Sequence, residues 1–155
     1  DACLLNDAEM ALGEASWKLL SDPFGDWYEE NEYKVDGRLH IDKDILYPNC
    51  KIYSPKTCLL VPQRINMLFS NKTNSRGLPN GILQTKSGKF IARYGGTELG
   101  TYDTIDIAYG VYANKKEATI KRIAEEYKNV IPKKVYDALY SYKVLIANDK
   151  NYKAS

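Results

Sequence analysis

The chain has 155 residues, 44% of them hydrophobic, enough to bury one medium core or two small ones without covalent staples. Its apolar runs fall short of the roughly 18 residues that cross a bilayer and no basic-then-apolar leader opens it, so a soluble intracellular protein is the expectation. The formal net charge of +2 hides an uneven distribution, since residues 1–50 carry twelve Asp and Glu against four Lys and Arg, and residues 51–155 eight against eighteen.

In chain order, the first element is a helical stripe over Ala8 to Leu20 through Met10, Leu12, Ala15, Leu19 and Leu20, which Pro23 ends or which gives way there to the next element. Phe24, Trp27 and Tyr28 form an aromatic face at helical spacing, with Glu29, Glu30 and Glu32 pointing away. Val35-Asp36-Gly37-Arg38-Leu39 reads as a turn into a short strand running through Ile41, Ile45 and Leu46. The run Cys58 to Phe69 is apolar enough for a buried helix, with Pro62 in its first turn and Ser54 or Thr57 as its cap. Ser70 to Pro79, polar and rich in turn formers, is expected to be a linker or long loop.

Three short strands follow, Gly81 to Thr85, Lys89 to Tyr94 and Glu98 to Tyr102, separated by the hairpin-length turns Lys86-Ser87-Gly88 and Gly95-Gly96. Asp103 or Thr104 caps a helix with apolar positions Ile105, Ala108, Tyr109, Tyr112 and Ala113, continued by Ile120, Ile123, Ala124 and Tyr127. This helix is needed to cover one face of so small a sheet. The basic tail from Lys115 is helical, breaks at Pro132 and resumes through Val135, Leu139, Tyr142 and Ile146. Lys133 and Lys134 at the break read as solvated side chains rather than phosphate contacts. The expected class is α+β, divided into residues 1–75, 76–113 and 114–155.

The basic part suggests a polyanion as partner, while the acidic N-terminal part argues against DNA wrapping the whole molecule and offers a surface for a protein partner. Cys3, Cys50 and Cys58 are odd in number and lack C-x-x-C spacing, which suggests neither a disulfide framework nor a zinc knuckle, and Cys58 is assigned to the core. No GxGxxG, P-loop, GxSxG or HExxH pattern supports a nucleotide cofactor or a hydrolase triad. Asp42 and Asp44, two apart on a strand, would share a face and supply hard oxygen ligands to a divalent ion, although a local ion pair with Lys43 is the simpler reading.

The residues Gly88, Lys89, Phe90 and Ala92, followed by Leu99, Gly100, Tyr102, Thr104, Ala108 and Tyr109, resemble the ethylene-response-factor domain. The resemblance implies a three-stranded sheet packed on a helix and docked in the major groove of duplex DNA. Phe90, Ala92, Leu99 and Tyr102 would pack on the helix, and the opposite face would be polar, with Arg76, Gln84, Lys86, Lys89 and Arg93 as the DNA contacts. The stretch Leu39 to Asn66, with its D-K-D-I-L and Y-S-P-x-T-C-x-x-V-P-x-x-I-N patterns, resembles phage-encoded HNH-type homing endonucleases. That resemblance implies a small ββα module with a metal-binding acid at Asp42, a final Asn at Asn66, and a middle Asn matched by Cys50 or, after a one-residue shift, Asn49.

At the position of the family's catalytic His stands Lys43, which is protonated at neutral pH and cannot act as a base unless strongly desolvated. If strand alternation runs from 40 to 43, His40 lies on the opposite face from Lys43, as a surface or core side chain or as a displaced base. Three readings remain open: a duplex-DNA-binding protein on a nuclease-like scaffold; an active endonuclease using Mg²⁺ with His40 or a neutralised Lys43 as base; and a host- or phage-protein-binding factor, inhibitor or virion-associated, acting through the acidic N-terminal region. The resemblance implies a phage-encoded protein acting in the host cytoplasm, away from membranes.

Overall fold

The computed structural model describes residues 21–153, so the stripe over Ala8 to Leu20 and Cys3 lie outside the described residues, as does the Phe24 side chain. The fold is α+β, with four α-helices and two small antiparallel sheets among the described residues. Its chain clusters into two compact units, one of Asp1–Phe69 with Ile123–Ser141 and one of Ser70–Arg122 with Tyr142–Ser155. No helix of the described residues is long and apolar enough to cross a membrane.

The first unit contains α1 (Ser21–Asn31), the strand pair β1 (Leu39–Asp42) and β2 (Leu59–Pro62), the short α2 (Gln63–Met67) and α4 (Lys133–Ser141). Strands β1 and β2 pair antiparallel with Ile41 opposite Leu60 and Asp42 opposite Leu59. Alternation sends Leu39, Ile41 and Leu60 to one face, where they pack with Trp27, Tyr28, Tyr33 and Cys58. The Tyr33 hydroxyl donates to the Leu60 carbonyl at 2.6 Å, so the ring packs without orphaning its polar end. Strand β2 is buried on both faces, with Leu59, Leu60 and Val61 at most 3% exposed. α4 packs on β2 and buries Val135 and Leu139, four residues apart on one side.

The expected helix over Cys58 to Phe69 is half strand. Pro62, at ψ 151°, is the last extended residue, and only Gln63–Met67 is helical. Proline lacks the donor a continuing strand needs and suits a helix start, so it sits at the join. Ser54 and Thr57 accordingly cap a turn ahead of the strand rather than a helix.

The second unit is a meander of β3 (Ile82–Gln84), β4 (Phe90–Tyr94) and β5 (Thr97–Tyr102) covered by α3 (Ile105–Glu126). Residues of α3 up to 122 group with this unit and those from 123 with the other. Between Asp103 and Thr104 as helix cap the structure selects Thr104, whose Oγ1 accepts the Ile107 amide at 3.2 Å. Ile82 and Ala92 pack against Ala108, Tyr109, Tyr112 and Ala113, with Phe90, Tyr94, Leu99 and Tyr102 around them. Tyr112 meets the Tyr94 ring edge-on at 5.7 Å between centroids.

One expectation fails here. The helix after Pro132 stops at Ser141, and Tyr142 and Ile146 belong to a C-terminal strap of the second unit. Val144 and Ile146 pack on the unit's core, and the Val144 amide donates to Glu117 at 3.0 Å, contacts a continued helix would forfeit. The tract from Ser70 to Pro79 is the long loop expected, and it is tied down by the strap. Asn151 Oδ1 accepts the Asn74 amide at 2.8 Å while its Nδ2 donates to the Lys72 carbonyl at 3.0 Å, and Asp149 Oδ2 accepts the Asn80 amide at 3.0 Å. Asp149 and Asn151 are at most 9% exposed, so these bonds satisfy groups that burial would otherwise penalise.

Candidate nuclease-like turn and nucleic-acid interface

In the first unit, β1 ends at Asp42 and the chain turns at once. Asp42 Oδ2 accepts the amide of Asp44 at 2.9 Å and that of Ile45 at 2.7 Å. This closes the turn and leaves Asp44 and Ile45 beyond the strand, correcting both the longer strand and the shared strand face of Asp42 and Asp44. Lys43 at the tip places its Nζ 3.2 Å from Asp44 Oδ1, with the Tyr53 ring centroid 5.7 Å away. Because the strand stops at residue 42, alternation relates His40 to Asp42, on the same face, rather than to Lys43.

Asp42 is 5% exposed. Burial pushes its carboxyl up to about 6; the Ile45 amide pulls it back in part, and the charge of Asp44 adds to the rise. Burial also raises the Cys58 thiol, a core residue 2% exposed that sits at the foot of β2. Such a carboxyl is a poor ligand for a hard cation: burial makes its charged form costly and one of its oxygens already holds two amides. Asp44, the other candidate, already faces an ammonium. The two carboxylates therefore do not fit a Mg²⁺ ion, and among the described residues no group of three or more His, Cys, Asp or Glu is placed to hold a metal.

Asn66 lies half-buried on α2, beside the fully buried Ile65. Of the two candidates for the middle position, Cys50 is 1% exposed and donates its thiol to the Ile52 carbonyl at 3.7 Å. Asn49 takes the left-handed conformation at φ 63°, which Asn tolerates better than most residues. The residue that organises this loop is Thr57, which sequence reasoning offered only as a helix cap. Fully buried, it donates to the Ile52 carbonyl at 2.8 Å and accepts the Ser54 amide at 3.0 Å, so one hydroxyl fixes the entry to β2. The detectable signal was Ser54-Pro55 followed closely by a Thr, a local side-chain-to-backbone turn.

In the second unit, the register aligns Leu83, Ile91 and Thr101 in one cross-strand row on the face away from α3. Beyond a bulge, Arg93 stands opposite Glu98 on that same face. Lys89, one step outside the pair Phe90 and Tyr102, contacts Asp103 at 3.2 Å with both side chains more than half exposed, an arrangement that contributes little stability. Lys86 lies in the β3–β4 turn, and Arg76 is exposed in the loop before β3, where its amide donates to Asn74. Gln84 is not with them: it shares the side of Ile82, Phe90 and Tyr102 that faces α3, because side chains alternate strictly along the strand. The outer face is therefore less polar than expected, with Leu83 and Ile91 at its centre and basic groups at its edges.

Charge follows the structural division. The second unit holds twelve Lys and Arg against five Asp and Glu, the first ten against fifteen. In comparisons with protein-family models, curated proteins and solved structures, the chain finds no match.

Proposed function

We propose that this chain is a duplex-DNA-binding protein of phage type, on an HNH endonuclease-like scaffold whose catalytic His is replaced by Lys43. The observation that carries the reading is the concentration of positive charge in the unit whose three-stranded sheet leaves one face uncovered by its helix. A ribbon or sheet of that width enters a major groove, and clustered Lys and Arg supply phosphate neutralisation. The ββα order of β1, β2 and α2 supports the scaffold half, with Asp42 and Lys43 at the end of the first strand and Asn66 on the helix. An ammonium paired with Asp44 neither activates water nor takes a proton, so the turn does no hydrolysis in this reading.

Fluorescence anisotropy with a mixed-sequence duplex at low and physiological salt, with Mg²⁺ present and the DNA resolved on a gel afterwards, tests both halves. Binding that weakens steeply with salt over intact DNA is the expected result. Salt-independent affinity removes the DNA-binding half, and cut DNA replaces the degenerate scaffold with an active endonuclease.

A further inference from the structure

The outer face of the second unit's sheet has a chemistry the basic candidates do not account for. Its central row is Leu83, Ile91 and Thr101, one residue from each strand and directly paired across the ladder. Leu83 and Ile91 are half-buried, and neither belongs to the helix-packed cluster of this unit. The polar side chain best suited to read adenine, Gln84, is turned to the helix side. Arg93, the one long cation on a strand of this face, stands across from Glu98, which tempers its charge. A methyl-bearing centre framed by Lys86, Lys89 and Arg93 thus lies in a unit with twelve basic against five acidic residues.

That combination of charge and surface fits one occupant, a major groove whose floor carries methyl groups. In the major groove only thymine displays a methyl group among the standard bases, and apolar side chains and the Thr methyl contact it. We infer that Leu83, Ile91 and Thr101 select thymine-bearing duplex DNA by contact with the C5-methyl groups, while the surrounding cations hold the phosphates. The inference rests on the DNA-binding reading and adds to it the substrate class.

The test compares the full chain on two duplexes of one A·T-rich sequence, one with thymidine and one with deoxyuridine throughout, which removes the methyl groups and keeps every hydrogen-bonding edge. Affinity for the deoxyuridine duplex is expected to fall about fourfold for each contacted methyl. A Leu83→Ser/Ile91→Ser protein, which carries no methyl group at either position, is expected to lose most of that discrimination and to bind more weakly, with its salt sensitivity still present. Equal affinity of the natural chain for both duplexes overturns the methyl contact and leaves the DNA-binding reading intact. Discrimination that survives undiminished in the double variant overturns the assignment to these side chains. Absence of salt-sensitive binding to either duplex overturns the DNA-binding reading itself, and the inference with it.

Discussion

The amide of Ile45 donates to Oδ2 of Asp42 across 2.7 Å, so the carboxyl that ends β1 holds the turn that follows it. The same carboxyl is buried, and its pKa is raised from 3.8 to about 6. The folded protein therefore binds this proton more tightly than the unfolded chain does. The resulting stabilisation is complete below 3.8 and is lost as pH rises through about 6, amounting to about 3 kcal/mol. Asp42→Asn keeps an oxygen for both amides and removes the titration. Urea unfolding of the two proteins should show the natural chain gaining on the variant as pH falls from neutrality toward 4. A stability difference constant across that window would show that Asp42 titrates at its ordinary value.

Thr57 connects Ser54 and Ile52 through one buried hydroxyl. Thr57→Val preserves shape and leaves the Ser54 amide and the Ile52 carbonyl without that partner, a loss of about 2 to 3 kcal/mol for buried groups. Thr57→Ser keeps the hydroxyl and is expected to recover more than half of it. Denaturation midpoints of the three proteins decide this, and a Val variant as stable as the Ser variant would show that the hydroxyl is dispensable.

Much of the fold was legible because its punctuation was local. The turns Lys86-Ser87-Gly88 and Gly95-Gly96 located three strands to within a residue or two, and Thr104 marked the start of α3. The run from Cys58 to Phe69 defeated periodicity because β2 is buried on both faces and shows no alternation. The outer sheet face was misread as polar because its cations were counted and its parity was not: with Phe90 and Ala92 on the helix, alternation sends Ile91 outward, and the cross-strand register sets Leu83 beside it and Gln84 beside Phe90. At the turn after β1, the residues were legible and their geometry was not. Alternation assumed a strand through Lys43, and the Asp42 side chain ended it sooner.

Gly81 and Gly96 both sit at φ +81°, and their surroundings separate them. A Cβ at Gly81 would run into the Tyr112 ring and lie 2.8 Å from the Arg93 carbonyl oxygen, whereas one at Gly96 meets nothing within 4 Å. Gly96→Ala should cost about 1 kcal/mol, the strain of a left-handed non-glycine residue. Gly81→Ala adds a clash with backbone and with the core ring, and its loss should exceed that of Gly96→Ala by about 2 kcal/mol or more. Thermal melts of the pair measure the gap, and equal shifts would mean that Tyr112 moves aside freely.

Salt dependence can locate the proposed nucleic-acid surface because it counts neutralised phosphates rather than affinity alone. Arg93 lies on the open sheet face of the basic unit, whereas Lys133 belongs to the acidic unit and is already engaged by Asp137 one helical turn away. If the open face docks on DNA, Arg93→Ala lowers the slope of log affinity against log salt by about 1, and Lys133→Ala leaves it unchanged. Both side chains are exposed, so neither change should disturb folding, and far-ultraviolet circular dichroism checks that. Equal reductions from the two variants would describe diffuse attraction spread over both units. A reduction from Lys133→Ala alone would move the contact to α4 and away from the sheet, because a surface that does not approach phosphates releases no counterions when one of its charges is removed.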